Sequence, residues 1–344
     1  YKYNTIFQVM KNLRFLLLPF ALLYGLIIFT RNLFFNIGVF SSKKFDILSI
    51  GVGNLSMGGT GKSILVEYLI SYLKDKYKLA TLSRGYGRSS KGFIIAQKNS
   101  LPTEVGDEPF QFLNNHPEIK VTVSENRRIG VEKIKTKLPE INLIIFDDLM
   151  QHRWVKSNFL IATTSFHKPF FDDYLFPVGM LREQKKEIKR ADVILITSTP
   201  QNIEHDEKNN FLNKIKIFYT GKVFFTRLRY SNSLFNLNHK ISDKILASKP
   251  FILVTGIADS TGIVEYLELN DYSFEHLKYK DHHNYSNNDF ELINKKGKDK
   301  IILTTEKDFG KLSLKLKLLK LYYIKVHLDF LNESEATAFN NLVQ

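Results

Sequence analysis

Residues 46–63 read DILSIGVGNLSMGGTGKS, and this stretch decides the fold. It opens with a short apolar run, DILSIGV, of the kind that forms a buried parallel strand. A glycine-rich segment comes next. Apolar residues then recur at the three- and four-residue spacing of an amphipathic helix, at Ile64, Leu65, Tyr68, Leu69 and Tyr72. The predicted order is strand, glycine-rich loop and helix, the arrangement in which a P-loop holds nucleotide phosphates.

The loop contains the residue types that a phosphate cradle needs. Glycines let successive backbone N–H groups converge on phosphate oxygens. We predict that Lys62 reaches the β- and γ-phosphates and is catalytic, and that Ser63 holds Mg²⁺. Ser56 stands where the P-loop pattern has its first glycine, six residues before the lysine. A glycine-rich turn with a solvated lysine is the alternative. The predicted nucleotide-binding residues are Gly58, Gly59, Thr60, Gly61, Lys62 and Ser63.

A second buried run, residues 142–146 (NLIIF), ends in Asp147 and Asp148. Because the carboxyl ends of parallel strands share one edge of a sheet, we expect these acids on the same edge as the P-loop. A carboxylate at that position holds Mg²⁺ directly or through water. The sequence therefore predicts Asp147 and Asp148 as metal ligands. A pair of solvated loop acids is the alternative.

The N-terminal segment is both basic and apolar. No acidic residue precedes Asp46, and residues 15–30 (FLLLPFALLYGLIIFT) carry no charge. As a helix this run measures about 24 Å, which is shorter than the roughly 30 Å hydrocarbon core of a bilayer. We therefore predict a monotopic helix in the membrane surface, with basic residues on anionic head groups. A buried core helix and a single membrane span are the alternatives.

Composition limits the classes of function. The 344 residues are 44% hydrophobic and 24% charged, which is ordinary for a globular protein. The absence of cysteine excludes disulfides, thiolate metal sites and cysteine nucleophiles. A net charge of +14 suits anionic lipid, nucleic acid or phosphorylated substrates. No recognisable nucleic-acid-binding module occurs, so we expect no nucleic-acid partner.

The whole pattern predicts an α/β protein of the P-loop NTPase type, with a doubly wound parallel sheet. We expect an N-terminal membrane-associated helix in residues 1–45, a P-loop core in residues 46–230 and a second, smaller α/β domain in residues 231–344. Further strands are predicted at residues 79–82, 119–123, 159–162, 192–197, 222–227, 250–255, 300–304 and 321–326.

Taken in order along the chain, these and further motifs resemble the tetraacyldisaccharide 4'-kinases of lipid A synthesis. Any one segment is modest evidence, whereas the ordered set is specific, and it extends from the N-terminus to about residue 310. The matching segments are VGNL and GGTGKS (52–55 and 58–63), LSRGYGR (82–88), GDEP (106–109), DD and QHR (147–148 and 151–153), PVGMLRE (177–183), DH (281–282) and TEKD (305–308).

The resemblance implies a kinase that uses ATP and Mg²⁺ to phosphorylate the 4' hydroxyl of a tetraacylated glucosamine disaccharide 1-phosphate. It implies action at the cytoplasmic face of the bacterial inner membrane, on an anionic membrane surface, and we expect a monomer. The alternative from another class is a membrane-associated P-loop ATPase that acts as a regulatory or targeting module.

Roles for single residues also follow from the resemblance. It implies that Asp107 is the base and that His282 is its partner. We choose His282 over the adjacent His283 because His282 completes the Asp-His motif. We expect His282 to reach Asp107 by closure of one domain on the other. A solvated histidine pair is the alternative.

The turn PVGMLRE carries a further pair. The resemblance implies that Arg182 is catalytic, stabilising the transferring phosphate, and that Glu183 is a metal ligand near Mg²⁺. A plain ion pair of neighbouring side chains is the alternative. The predicted acceptor-binding residues are Asn54, Arg84, Tyr86, Arg88, Gln151 and His152; for the three that follow strand 79–82, a turn with surface arginines is the alternative reading.

Two positions depart from the family's usual pattern. Leu149 stands where a glycine is expected after the two aspartates, and Met180 stands where proline is frequent. If that glycine takes a positive φ, a leucine there costs energy unless the loop shifts. Neither departure removes a charged or titrating group, so the predicted chemistry is retained.

Overall fold

The computed structural model describes residues 14–236, 239–316 and 320–344. They form two compact units. The first unit contains the described residues up to Lys62 together with Asn142–Arg227 and Phe330–Gln344, and the second contains Ser63–Ile141 and Leu228–Asp329. Each unit combines segments that are distant in the sequence, whereas the sequence analysis expected three consecutive domains divided near residues 45 and 230.

Several helices of the described ranges begin at capping side chains. For example, the Asn126 side chain accepts hydrogen bonds from two backbone N–H groups at the start of its helix, and Ser286 and Asp289 form a capping box. The α-helices are α1 Leu18–Asn36, α2 Lys62–Leu73, α3 Pro102–Val105, α4 Asp107–Asn115, α5 Arg127–Lys137, α6 His205–Lys216, α7 Thr261–Leu269, α8 Asn287–Gly297, α9 Glu306–Leu312 and α10 Glu333–Val343.

Strands coincide with the short apolar runs, because each buries a nearly continuous row of β-branched and aliphatic side chains. Every strand predicted from the sequence is present, with ends displaced by a few residues, and the strand predicted at residues 222–227 continues to Phe235. The strands are β1 Lys43–Lys44, β2 Leu48–Gly53, β3 Leu79–Ser83, β4 Ile94–Ile95, β5 Lys120–Val123, β6 Leu143–Phe146, β7 Val155–Lys156, β8 Phe159–Ser165, β9 Val193–Thr197, β10 Lys222–Phe235, β11 Lys240–Ser242, β12 Phe251–Thr255, β13 Phe274–Lys278, β14 Ile302–Thr305 and β15 Leu321–Phe330.

The first unit is built on a parallel sheet with β2 between β6 and β8. Strand β8 pairs in parallel with β9, and β9 with the first residues of β10. The loop that follows β2 and the acids that follow β6 therefore leave the carboxyl ends of adjacent parallel strands, as the sequence predicted. One apolar cluster of this unit packs helix α6 through Phe211 and Ile215 against the sheet residues Ile194, Ile196 and Phe225.

Helix α1 belongs to the first unit and is mostly exposed. Together with the turn Phe15–Leu17 before it, it is long and apolar enough to cross a membrane by length and composition, and 22% of its most apolar window is buried. Pro19 lies in its first turn, where the missing N–H costs no hydrogen bond. The helix continues past Arg31 to Asn36, beyond the predicted apolar run, and Arg31 within it pairs with the buried Glu183.

The second unit contains two parallel arrangements. Strand β3 pairs in parallel with β5, and the short β4 adds to β5 in antiparallel orientation. In the C-terminal part, β12 lies between β13 and β14, and β14 pairs with β15, all in parallel. Ile252, Val254 and Ile302 pack there against Ile293 of α8 and Leu312 of α9. These pairings confirm the predicted α/β fold with parallel strands.

Candidate active site

The loop after β2 has the backbone that its glycines allow. Gly58 has φ +92° and Gly61 has φ +78°, both in the left-handed region that L side chains rarely adopt. A Cβ at Gly61 would also lie 2.8 Å from the Thr197 side chain, so a larger residue would not fit. Gly59 is exposed, and Thr60 is buried with its hydroxyl 2.9 Å from that of Thr163. The loop is therefore shaped as a cradle whose backbone remains accessible.

Ser56 does not need the glycine that the P-loop pattern expects. Its φ is not positive. It is buried and forms an isolated β-bridge with Leu181. The N–H of Met57 donates to the Met180 carbonyl at 2.7 Å, and the N–H of Arg182 donates to the Leu55 carbonyl at 2.7 Å. Residues 55–57 are thus joined to residues 180–182 by backbone hydrogen bonds, which hold the start of the loop in place.

Asn54 organises the loop from within. Its side chain is fully buried, and its amide donates to the Thr60 hydroxyl at 2.7 Å and to the Ser56 carbonyl at 2.8 Å. Its side-chain oxygen accepts from Lys62 at 3.2 Å and from Arg182. One amide therefore sets the loop and gathers two cations, a role that the sequence analysis did not foresee when it placed Asn54 among acceptor-binding residues.

Asp148 is the carboxylate that pairs with both of these cations. The Arg182 guanidinium donates to both of its carboxylate oxygens, at 2.9 and 2.8 Å, and the Lys62 ammonium lies 3.6 Å away. Burial opposes ionisation, but the charges of Lys62 and Arg182 and the bonds from Arg182 outweigh it and hold the Asp148 pKa well below its ordinary value. Asp147 precedes it and is 8% exposed. Ser63 follows Lys62 in the first turn of α2.

Leu149 adopts an ordinary conformation where the family's usual glycine was expected to matter. The positive φ of this loop falls one residue earlier, on Asp148, at +51°. The Leu149 side chain is buried and lies over Gly51, where a Cβ would come within 2.6 Å of it. The leucine therefore fills space left by a glycine of β2, and the acidic loop keeps its cations.

The side chains of Gln151 and Glu183 form hydrogen bonds with other groups of the first unit. Gln151 donates to the Asn54 carbonyl at 2.7 Å, and His152 lies close enough to Asp148 for its charge to help lower the pKa of that acid. Glu183 is fully buried, and its oxygens accept from Arg31 at 2.5 Å and Asn32 at 2.7 Å. Each carboxylate oxygen of Glu183 therefore already accepts a hydrogen bond from a protein donor. These are the same oxygens that would bind a magnesium ion.

A close approach of two glycine turns builds a second group of predicted residues, in the second unit. Gly85 has φ +72° and Gly106 has φ +98°. A Cβ at Gly106 would lie 3.0 Å from the Gly85 backbone, so only glycine permits this contact. Asp107 follows at the start of α4, where the helix dipole favours a negative charge. The motifs RGYGR and GDEP are brought together in this way.

Asp107 and His282 are in direct contact. His282 Nδ1 lies 3.0 Å from Asp107 Oδ2, and both residues belong to the second unit, so no closure of one domain on the other is needed to join them. His282 has φ +53° in the turn after β13, and its N–H donates to the Gly256 carbonyl. His283 instead pairs with Asp289 at 3.0 Å. The structure thus distinguishes the two histidines.

Two lysines of α9 complete this cluster. Lys311 lies 2.6 Å from Asp107 Oδ2, and the Lys307 ammonium lies 3.0 Å from His282 Nε2. An ammonium can only donate, so Nε2 accepts and Nδ1 carries the proton that it donates to Asp107. Burial opposes ionisation of Asp107, but the bonds from His282 and Lys311 and the lysine charges more than offset it and lower the Asp107 pKa.

Asp308 holds the turn that carries His282. It accepts from the Gly256 N–H at 2.8 Å, from the Thr305 hydroxyl at 2.7 Å and from the Tyr285 hydroxyl at 3.1 Å. Burial raises its pKa, although these bonds act in the opposite direction. The sequence analysis included Lys307 and Asp308 in the TEKD motif without assigning these contacts, and it missed Lys311. The four-residue spacing of Lys307 and Lys311 on a helix that follows a strand end is the signal that would have indicated Lys311.

The predicted acceptor residues of the RGYGR turn divide into two kinds. Arg84 is exposed, and the exposed ring of Tyr86 lies 4.9 Å from the His282 ring. The Arg88 side chain is instead nearly buried, pairing with Glu125 at 2.6 Å and donating to a carbonyl of its own loop. Arg84 and Tyr86 therefore face outward, with Tyr86 beside His282, whereas Arg88 holds the turn.

The structure thus brings the predicted residues into two groups. In the first unit, Lys62 and Arg182 each contact both Asn54 and Asp148. In the second unit, Asp107 and His282 meet, with Tyr86 against the histidine ring. Within the ranges that the structure describes, no three His, Cys, Asp or Glu side chains form a ready-made metal cluster.

Comparison with known proteins gives consistent matches over the chain. A model of the family LpxK, tetraacyldisaccharide-1-P 4'-kinase, matches residues 13–344. The tetraacyldisaccharide 4'-kinase of Flavobacterium johnsoniae is 39% identical over 327 residues, and that of Flavobacterium psychrophilum is 40% identical over 330 residues; each alignment covers 95% of both chains. A crystal structure of "apo" form LpxK from Aquifex aeolicus in complex with ATP has a TM-score of 0.75 at 29% identity, covering 96% of this chain and 99% of that one.

Proposed function

This chain belongs to the tetraacyldisaccharide-1-P 4'-kinase family, and on that premise we propose that it transfers the γ-phosphate of ATP to the 4' hydroxyl of a tetraacylated glucosamine disaccharide 1-phosphate in lipid A synthesis. A P-loop alone serves many ATPases, so the observation that carries the proposal is the 3.0 Å contact of Asp107 with His282. Transfer to a sugar hydroxyl needs a group that accepts its proton, and the Asp107–His282 pair would supply one.

Nucleotide binding is assigned to the loop after β2. The left-handed Gly58 and Gly61 turn the backbone as a phosphate cradle requires, and ATP is the ligand of the Aquifex aeolicus relative. Lys62 would neutralise the β- and γ-oxygens, and Arg182 would stabilise the transferring phosphate. Both cations are paired with Asp148 in this structure, so phosphate oxygens would take over partners that already converge.

Magnesium is proposed as the metal that accompanies ATP. The residues offer the oxygen ligands that Mg²⁺ prefers, in the Ser63 hydroxyl and the carboxylates of Asp147 and Asp148. Bound by them, the ion would offset negative charge on the nucleotide. The pKa of Asp148 is lowered below its ordinary value, so this ligand stays ionised throughout the physiological pH range.

Asp107 is proposed as the base. Both His282 and Lys311 contact Oδ2, which leaves Oδ1 to accept the proton of the sugar hydroxyl. His282 orients the carboxylate through its Nδ1 proton and would share the charge that changes during transfer. A carboxylate with a lowered pKa is a weak base, and phosphoryl transfer tolerates this because its loose transition state demands little early proton removal.

The acceptor is assigned to exposed groups near this pair. Arg84 offers a guanidinium fork suited to the 1-phosphate, and Tyr86 offers a ring face to the sugar. Gln151 and His152 stay predicted acceptor contacts. Asn54 and Arg88 are assigned to support, since their side chains are buried within their loops.

The membrane is the proposed location of the reaction. Large apolar side chains of α1 are exposed, among them Leu22, Leu23, Leu26 and Ile27, and nothing acidic interrupts this face. We infer a monomer that binds anionic lipid at the cytoplasmic face of the bacterial inner membrane through this helix, where ATP is present.

An in vitro transfer assay tests the proposal. Purified full-length protein in detergent micelles with MgATP should convert the disaccharide 1-phosphate to a product that gains one phosphate, detected by mass spectrometry. His282→Ala should lose most of the transfer, whereas the matched His283→Ala should retain it. ATP hydrolysis without a phosphorylated lipid, under conditions where a known member of the family is active, would instead favour the regulatory ATPase.

A further inference from the structure

Three consecutive residues, Arg182 to Gln184, each contact helix α1. The Tyr24 hydroxyl donates to the Arg182 carbonyl at 3.1 Å, and the Gln184 side chain reaches the Gly25 carbonyl at 3.5 Å. Between them, Glu183 receives hydrogen bonds from two side chains of the same helix, Arg31 and Asn32. The helix is therefore attached to one short peptide at two places, Tyr24–Gly25 and Arg31–Asn32, about two turns apart.

The same peptide reaches the phosphate loop on its other side. The Arg182 guanidinium binds both oxygens of Asp148 and contacts Asn54, and its backbone N–H donates to the Leu55 carbonyl. Arg182 thus meets α1 through its carbonyl group and the loop through its side chain and N–H. A displacement of α1 acts on this residue directly, with no intermediate element.

Glu183 is the strongest link in this connection. Its side chain is fully buried, with Arg31 on one oxygen and Arg190 3.6 Å from the same oxygen. A buried carboxylate without its cations is strongly unfavourable, and so are buried cations without their carboxylate. The pair therefore favours one seating of α1 on the first unit, although most of the helix surface makes no contact there.

We propose that Glu183 is a positioning residue that makes helix α1 a working part of the phosphate site: it seats the helix, and the seated helix sets Arg182 against Asp148 and Asn54. Seating of α1 and nucleotide affinity are then coupled, whether or not a membrane or an acceptor is present. The assignment of Arg182 to nucleotide phosphate rests on the proposed function, but the coupling is tested by nucleotide binding alone.

The experiment measures the affinity of full-length protein in detergent micelles for a non-hydrolysable ATP analogue with Mg²⁺, by calorimetry, without lipid acceptor. Glu183→Gln should weaken binding by about tenfold, within the usual range for coupled sites. The matched control is Glu187→Gln. Glu187 is a buried carboxylate of the 3₁₀ helix Lys185–Arg190. It pairs with Arg190 at 3.0 Å and lies 3.8 Å from Arg153, but it has no direct bond to α1 in the described residues. Its loss should lower the melting temperature and leave the affinity within about twofold.

A double-mutant cycle separates positioning from general destabilisation. If Glu183 acts through Arg182, Glu183→Gln should cause no further loss of affinity in an Arg182→Ala background. Equal losses in both backgrounds, or an unchanged affinity in Glu183→Gln, would overturn the proposal. Should Glu183→Gln not fold, Tyr24→Phe removes one hydroxyl from the same connection, and an affinity that it leaves unchanged would count equally against the coupling.

The outcomes also separate this inference from the proposed function. A protein that shows the coupling but phosphorylates no lipid disproves the kinase assignment and leaves the coupling intact. A protein that phosphorylates the lipid while Glu183→Gln binds nucleotide normally disproves the coupling alone. A wild-type chain that binds no ATP analogue would disprove both.

Discussion

Asp148 in the first unit and Asp107 in the second are two carboxylates with lowered pKa values, but the groups that lower those values differ in kind. Asp148 is held by Lys62 and Arg182, which are the groups proposed to meet the nucleotide. Asp107 is held by His282 and by Lys311, which have no proposed contact with phosphate. The partners of Asp148 are therefore groups that a nucleotide can take over. The partners of Asp107 stay with the proposed base.

The largest effect is expected on removing the carboxylate of Asp107, the proposed base. Asp107→Ala should lower turnover by about 10²–10⁴-fold, the usual contribution of a general base. The affinity for the ATP analogue should stay within about twofold, because Asp107 belongs to the other group of residues. Single-turnover transfer and calorimetry on the same preparation measure both quantities. Full turnover in this variant would remove Asp107 as the base.

Lys62→Met tests the cations that pair with Asp148 and are proposed to meet the nucleotide. Loss of one charge at the β- and γ-phosphates should lower kcat/KM by about 10²–10³-fold. It should also weaken binding of the ATP analogue, which Asp107→Ala should not do. The exposed Lys74→Met, which breaks a surface pair with Glu118, serves as the control for loss of a lysine. Equal ATP affinity in wild type and Lys62→Met would contradict the assignment of the cradle.

Lys311→Met should change the pH dependence more than the maximal rate. The Asp107 pKa is lowered despite burial, because His282 and Lys311 favour the ionised form, and Lys307 adds its charge. Glu108 and Asp281, which face Lys307, oppose this effect, and the Tyr86 ring packs against His282. Removing the Lys311 charge raises the Asp107 pKa, so activity is lost at a higher pH as the solution is acidified.

A pH profile of kcat/KM with saturating MgATP measures this shift. Lys311→Arg keeps the charge and should keep the acid limb near that of the wild type. An acid limb that is identical in Lys311→Met and wild type would show that Lys311 does not set the protonation of the base.

The smallest effect is expected at a third carboxylate, Asp289. Its pKa is also lowered, mainly by the backbone and side chain of Ser286 and by His283, which overcome slight burial. These contacts belong to the capping box of α8 and not to the candidate site. Asp289→Ala should therefore lower the free energy of unfolding by about 1 kcal/mol and leave transfer unchanged, as denaturant unfolding and the transfer assay would show. A large loss of transfer would mean that the adjacent histidines do not act separately.

The sequence predicted those parts of the candidate site that are formed by residues close together in the chain. Strand, loop and helix around Lys62 follow from local hydrophobic period and glycine content, and the acids after β6 follow from the rule for parallel strands. The resemblance named Asp107 and His282, which local pattern alone would not have selected. Lys311 was missed because its importance depends on a contact across about 200 residues of chain, which no local pattern records.

By itself, the sequence determined the fold class, the phosphate loop and the apolar N-terminal helix, because these depend on periodicity and on residue types within short windows. Only the tertiary structure decided that Asp148 and not Leu149 takes the left-handed backbone, that Lys311 contacts Asp107, and that Glu183 is bonded to helix α1. Each of these outcomes is set by which charged or buried groups lie within a few ångströms of each other in space, and residues far apart in the chain supply those groups.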